Sequence, residues 1–209
     1  MILIEKQQCR GWEPAVRGMR NPMNSWDKSD SYFNGSTFYI GPNDLDLMKR
    51  LRDAGTDHRK FMRMIVVYCD ITAPLYWWKE FDTYRQGVEK NSCSTMHKIH
   101  VKEFTLEDFS CERMTDGCVD VLNDMVDALN FERNNYRETQ DKRYWENLIQ
   151  LLPTSYNQKR TVMMSYEALA NMYNARKGHK LDEWREMCKW MESLPYSCLI
   201  TGKEGEPCG

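Results

Sequence analysis

No apolar segment in this 209-residue sequence approaches the length of a membrane span: the longest near-apolar run, Met64 to Cys69, falls far short of the roughly 18–20 residues required. The first nine residues, Met1 to Cys9, include Glu5 and Lys6, which argues against an apolar leader. A soluble chain working in the cytoplasm is the expectation. Net charge is equally scarce, since 29 Lys and Arg stand against 31 Asp and Glu to give −2, which disfavours general binding to nucleic acid or to anionic membranes. Eight cysteines are present, but no C-x-x-C pair. The nearest neighbours, Cys111 and Cys118, lack a second pair at zinc-finger distance, so free and mostly buried thiols are expected. His97 and His100 stand three apart without a third ligand at helical distance, a weak basis for a metal site. There is no internal repeat and no low-complexity block.

What is present is a globular composition, 41% hydrophobic, 29% charged and 12% aromatic, which suits one domain over residues 1–200 with a loose tail over 201–209. Met1 to Glu5 alternates weakly, as an edge strand does, and Arg10 to Asn34, rich in Gly, Pro, Asn and Ser, reads as an irregular arm. Within the arm, Arg17 and Arg20 beside Gly18 suit either anion contact or plain surface. Gly41-Pro42-Asn43-Asp44 marks a helix start, with Leu45, Leu47, Met48 and Leu51 as its apolar face and a stop near Gly55. From Phe61 to Ile71 the β-branched and aromatic residues read as a buried strand ended by Ala73-Pro74. Pro74 then opens an aromatic helix, Leu75 to Arg85, closed by Gly87.

Val88 to His100 is a polar connection in which Asn91, Ser92, Ser94 and Thr95 offer amides and hydroxyls suited to a nucleobase edge or a phosphate, or to solvent alone. Apolar positions recur at three and four in Val119–Phe131, Tyr144–Leu152, Val162–Tyr173 and Trp184–Met191, so the second half is expected to be helical. Glu132 to Arg143 is too polar to carry a core face throughout, and Thr154 or Ser155 after Pro153 is placed to cap the following element.

Several of these segments carry a family resemblance. Leu47 to Leu51 through His58, the strand ending in Ala73-Pro74, the helix from Leu75, the Leu152-Pro153-Thr154-Ser155-Tyr156 element, and Leu169 to Arg176 followed by His179 and Glu183 are together similar to the flavin-dependent thymidylate synthases. The similarity covers about two-thirds of the chain. That family's signature, R-H-R-x-x-S-x-N-E-x-S-x-R, falls from Thr83 to Met96 and is largely altered. Arg85 stands in register. With one inserted residue Asn91 matches the asparagine and Ser94 the second serine, while Tyr84 replaces the flavin-contacting histidine, Glu80 an upstream glutamine and Met96 the last arginine.

The resemblance implies an α/β fold with a small mixed or antiparallel sheet packed with several long helices, assembled as a homotetramer. It implies reductive methylation of dUMP to dTMP with FAD, NADPH and methylenetetrahydrofolate. Arg85, Ser94 and Arg176 would be catalytic; His58, Tyr84, Arg85 and Asn91 would meet the flavin; Glu80, Asn91, Ser92, Ser94 and Arg176 would hold the nucleotide. The bland readings stand beside these: Arg85 complements a helix dipole, Arg176 occupies a wet helix face, and the aromatics of the Leu75 helix are core. Thinning of the arginines and the gain of Glu80 and Glu89 make the site less hospitable to a phosphate dianion, which raises the alternative of a non-catalytic nucleotide-binding relative.

Overall fold

The computed structural model describes residues 1–203, and the six residues that follow, most of the expected tail, lie outside the described residues. In chain order the elements are β1 (Leu3–Arg10), α1 (Trp12–Arg20), β2 (Tyr32–Asn34), β3 (Thr37–Tyr39), α2 (Pro42–Asp53), β4 (Val66–Pro74), α3 (Leu75–Phe81), β5 (Val88–Ser92), α4 (Asp116–Thr139), α5 (Lys142–Leu151), β6 (Asn157–Ser165), α6 (Tyr166–Arg176), α7 (Asp182–Glu192) and α8 (Cys198–Thr201). Short 3-10 turns fill several connections, among them Arg59–Arg63. The fold is α/β, with eight α-helices among the described residues and a small four-stranded sheet in the order β1-β4-β6-β5, besides the hairpin β2-β3. The Tyr166 N–H donates to the Ile65 carbonyl at one end of the β4–β6 pair and Leu75 N–H donates to Tyr156 O at the other, so these strands run antiparallel. No helix among the described residues is long and apolar enough to cross a membrane.

The chain divides into two compact units. The first comprises residues 1–3, 71–83 and 91–160. Its core joins Ile99, Phe104 and Phe109 to Leu122, Val126 and Leu129 of α4 and Leu148 of α5. In α3, Trp77 and Phe81 stack at 5.0 Å while Trp78 meets both edge-on, so the aromatic helix is core, as its spacing suggested. The N–H groups of Leu75 and Tyr76, unsatisfied within the helix, donate to the carbonyls of Tyr156 and Thr154, which is the use made of the Leu-Pro-x-x-Tyr element.

The second unit comprises residues 4–70, 84–90 and 161–209, of which 204–209 are not described. In it α6 is buried along most of its length and packs against α7, α8 and the Arg59–Arg63 turn. The helix α1 packs on that same turn and on α2. A buried ion pair, Arg20 to Asp44, ties the end of α1 to the first turn of α2.

The structure redraws several boundaries. The arm from Arg10 begins with a helix: Ala15, Val16 and Met19 form a buried stripe, and Pro14 falls in the first turn where its missing N–H is harmless. Phe61 and Met62 belong to a 3-10 turn rather than to β4. The aromatic helix stops at Phe81, short of Arg85. Residues 162–165 are strand, and Ser165 caps α6 by accepting the Ala168 N–H. Ser155 caps nothing; its carbonyl accepts the Ser110 N–H. The helix α4 continues through the polar stretch from Glu132 to Thr139 because Arg133 takes a buried place on the stripe begun by Leu122, Val126 and Leu129. Among the cysteines, Cys9, Cys69, Cys93, Cys111, Cys118 and Cys188 are free, whereas Cys198 is disulfide-bonded against expectation.

Candidate functional site

In the second unit the segment after the aromatic helix is fixed by glycine. Gly87 has φ +69°, its carbonyl accepts the Ser165 N–H at 2.8 Å, and a Cβ on it would lie 2.4 Å from Ser165 Oγ. Residues 84–90 are thereby held against the N-terminus of α6. At the opposite end of α6, Arg176 donates from Nε to the Tyr84 hydroxyl at 3.0 Å. The same guanidinium lies 4.7 Å from the Trp184 ring centre and 5.7 Å from that of Tyr84, and the two rings meet edge-on at 6.0 Å. His179 packs against the other side of this group, 6.3 Å from Trp184. Two residues 92 positions apart therefore form one half-buried cluster, a fixed cation framed by aromatic faces.

Arg85 is exposed and makes no hydrogen bond or ion pair among the described residues. His58 is exposed at the head of the Arg59–Arg63 turn, and its side chain is bonded to none of the described residues. Arg59 and Arg63, its near neighbours, are consumed by Glu167 of α6.

In the first unit Asn91 and Ser92 end β5, and Ser94 opens the turn that follows; all three are exposed. Ser94 Oγ accepts the N–H groups of Met96 and His97 at 3.2 and 2.9 Å, which shapes the turn and leaves its hydroxyl proton to donate. The segment is anchored at Cys93, whose N–H donates to Lys159 O at 2.9 Å and whose carbonyl accepts Gln158 Nε2 at 2.7 Å. Trp145 Nε1 donates to the Met96 carbonyl at 2.8 Å. Glu80, on α3, is half-buried and its carbonyl accepts the Thr83 hydroxyl.

Two residues of this region escape sequence reasoning. Arg160 of β6 lies 4.2 Å over the Trp78 ring, donates to Gln158 Oε1 at 3.0 Å and pairs with Asp82 at 2.8 Å. Gln158 therefore supports the Cys93 turn with its amide nitrogen and Arg160 with its amide oxygen. The available signal was the two-residue spacing of Gln158 and Arg160, a strand period lost when residues 162–173 are read as one helix.

Phe109 bridges to Tyr156 in the same unit, and burial pushes the Tyr156 phenol above its ordinary range, aided by the charge of Asp108 and by Cys93. No group of three potential metal ligands occurs among the described residues.

For FAD, which the family resemblance implies, the donor set is suitable in kind: a cation held between aromatic faces at Tyr84, Arg176 and Trp184, and, among the described residues, an unpaired cation at Arg85. The outer oxygens of a pyrophosphate and a flat ring system are the groups such residues accept.

No protein-family model and no curated protein sequence matches the chain. Solved structures do. Two crystal structures of the flavin-dependent thymidylate synthase ThyX from Helicobacter pylori with FAD and dUMP match at TM-scores of 0.69 and 0.71, each at 16% identity. They cover 95% and 96% of this chain and 96% of theirs. The UMP/dUMP methylase PolB from Streptomyces cacaoi, bound with 5-Br dUMP, matches at a TM-score of 0.58 and 14% identity over 92% of this chain and 89% of its own. The identity is low but nearly all of each chain is covered, and the chain has a fold like that of the flavin-dependent thymidylate synthases.

Proposed function

We propose that this chain is a divergent flavin-dependent nucleotide methylase that carries out the reductive methylation of dUMP to dTMP, with methylenetetrahydrofolate as carbon donor and NADPH as reductant. The observation that carries the reading is the Tyr84–Arg176 hydrogen bond, within a fold whose solved relatives are complexed with FAD and dUMP. FAD, when bound, supplies the hydride chemistry. The chain's own residues supply binding and charge. Arg176, oriented by Tyr84 and Trp184, presents a fixed positive charge to an anionic group, and Arg85 adds an exposed one. Asn91, Ser92 and Ser94 offer an amide and two hydroxyls to a pyrimidine edge, while Glu80 accepts from an N–H. His58, exposed at the head of the Arg59–Arg63 turn, offers an imidazole bonded to none of the described residues as a further flavin contact. Stabilising charge that grows on the uracil ring needs donors in place before the reaction, which is the role assigned to Arg85 and Arg176. A homotetramer working in the cytoplasm completes this reading.

A second reading, a nucleotide-binding relative without catalysis, is favoured by one specific feature: Arg160, a cation near the turn, is already neutralised by Asp82, and Met96 supplies no charge. The two readings separate in one experiment. The methylase copurifies with or takes up FAD, shows flavin absorbance, and oxidises NADPH only when dUMP and methylenetetrahydrofolate are present, with dTMP as product. Colourless protein whose melting temperature rises with dUMP but not with FAD establishes the binding relative. Indifference to both ligands overturns the two together.

A further inference from the structure

Arg133 sits where the pattern of α4 calls for an apolar residue, on the stripe of Leu122, Val126 and Leu129, and is only 8% exposed. Its partners are all neutral: Nη1 donates to Asn134 Oδ1 at 2.8 Å and Nη2 to the Val101 carbonyl at 3.4 Å. Nε has no hydrogen-bond partner among the described residues. The adjacent carboxylate on the helix, Glu132, accepts from Asn147. A guanidinium buried without a counter-charge is a costly arrangement, and burying one is ordinarily tolerated only where an anion meets it.

A second buried atom is unsatisfied beside it. His100 precedes Val101, the residue whose carbonyl Arg133 reaches, and its imidazole packs edge-on against Tyr136, one helical turn beyond Arg133, at 5.0 Å. Its Nδ1 is buried and likewise has no partner among the described residues. The two side chains that carry the orphan atoms are thus neighbours at one turn of α4, Arg133 to Tyr136, and at the pair His100–Val101, within one compact unit. In the Nδ1–H tautomer the imidazole presents a donor, as Arg133 Nε–H does. Two unpaired donors, one of them on a guanidinium, are complemented best by an acceptor-only group with negative charge.

We propose that Arg133 and His100 form a receptor for a small oxyanion of phosphate size, accepting from Arg133 Nε–H and His100 Nδ1–H and neutralising the buried guanidinium. The site uses none of Tyr84, Arg85 and Arg176 and does not depend on the methylase reading. Its function is to complete the junction between the end of α4 and the chain after His97, which binding of the anion would stiffen.

The test uses the full chain and inorganic phosphate. Melting is followed with phosphate and, at matched ionic strength, with chloride. Phosphate at ten times its dissociation constant raises the melting temperature by about 3–6 °C. Arg133→Met removes the buried charge and keeps the stem; it melts at or above the wild type without phosphate, and phosphate no longer raises its melting temperature. His100→Phe keeps the ring packing on Tyr136 and lacks the donor, so phosphate binds about tenfold more weakly. Should Arg133→Met fail to fold, the His100→Phe affinity decides alone. Wild-type protein that responds no more to phosphate than to chloride, as when a water or a carboxylate of a second copy serves these donors, overturns the proposal. So does an Arg133→Met variant that retains the phosphate response, or a His100→Phe variant with unchanged affinity.

Discussion

Arg176 Nε and the Tyr84 hydroxyl are 3.0 Å apart, so a residue at the end of α6 is held by one just past the aromatic helix α3. The phenol acts here as an acceptor, and the guanidinium carbon lies 4.7 Å from the Trp184 ring centre. Tyr84→Phe keeps the ring and removes the bond, with an expected loss of about 0.5–1.5 kcal/mol in denaturant unfolding. Arg176→Lys removes the planar fork, and it should weaken binding of dUMP or FAD about tenfold while Tyr84→Phe weakens it less. Equal affinities in wild type and Arg176→Lys would show that Arg176 only packs.

How far the sequence foretells such a cluster depends on the kind of signal. Gly41-Pro42 announces α2, and Ala73-Pro74 separates β4 from α3, because proline fixes φ and removes a donor at positions where both are tolerated. The helix α1 is hidden by Pro14 and Gly18, which look like breakers but occupy a first turn and a site against the Met64 side chain. Residues 162–165 form an apolar run too short for periodicity to tell strand from helix. Tyr84 and Arg176 could each be named from resemblance, but their contact is a product of tertiary packing. Arg160 and Gln158 carry no local mark beyond the two-residue spacing of a strand, and Arg133 lies in the stretch from Glu132 to Arg143, too polar to announce a core position.

The Arg20–Asp44 pair should govern acid stability in the second unit. Asp44 is fully buried and accepts from the Arg20 guanidinium, from the hydroxyls of Ser29 and Ser31 and from the N–H groups of Asp30 and Ser31. Burial pushes its carboxyl up, but the two hydroxyls and Arg20 outweigh this and hold it below the ordinary range. A depressed folded-state pKa means that the stabilisation is complete above the unfolded value, about 3.9, and is lost as pH falls through the folded one. Asp44→Asn, which leaves Arg20 buried and unpaired, should cost about 3–5 kcal/mol near pH 7. The difference from wild type should shrink as acid protonates the folded-state carboxyl, somewhere below about 3.9; a difference that persists unchanged down to the acid unfolding of the wild type would refute the assignment.

Substitution at Gly87 should separate backbone strain from side-chain chemistry. Gly87→Ala places a methyl 2.4 Å from Ser165 Oγ at φ +69° and should destabilise by about 1–3 kcal/mol. Gly117→Ala, in α4 with nothing within 4 Å of the added methyl, is neutral or stabilising by up to about 1 kcal/mol. Thermal melts of the two variants side by side check both signs.

The free thiols should fall into two reactivity classes. Burial pushes the Cys69 thiol up to about 12, with the charge of Asp70 adding to it, and burial pushes Cys188 up to about 11. Cys93 and Cys118 are exposed. At pH 8 a thiol reagent should modify Cys93 and Cys118 within minutes and reach Cys69 and Cys188 only with denaturant, as mass mapping of the labelled peptides would read out. Rapid labelling of Cys69 in native protein would contradict its placement on β4.

Gln158 offers the sharpest test of whether the turn after β5 is held from below. It is buried, and its amide spends both ends, the nitrogen on the Cys93 carbonyl and the oxygen on Arg160 Nε. Gln158→Leu matches the bulk but strands one acceptor and one charged donor, with an expected loss of about 1–3 kcal/mol. Structural damage alone would lower stability and leave ligand affinity intact in the folded fraction. If the turn instead presents Asn91, Ser92 and Ser94 to a nucleotide, amide exchange across residues 93–97 should quicken and dUMP affinity should fall several-fold at a temperature where the variant is fully folded. Gln158→Glu, which keeps the acceptor toward Arg160 and turns the donor to Cys93 into a second acceptor facing that carbonyl, should show the same faster exchange. Unchanged exchange in both variants would mean that the Cys93–Lys159 backbone bond suffices to hold the turn, and that Gln158 has no part in positioning it.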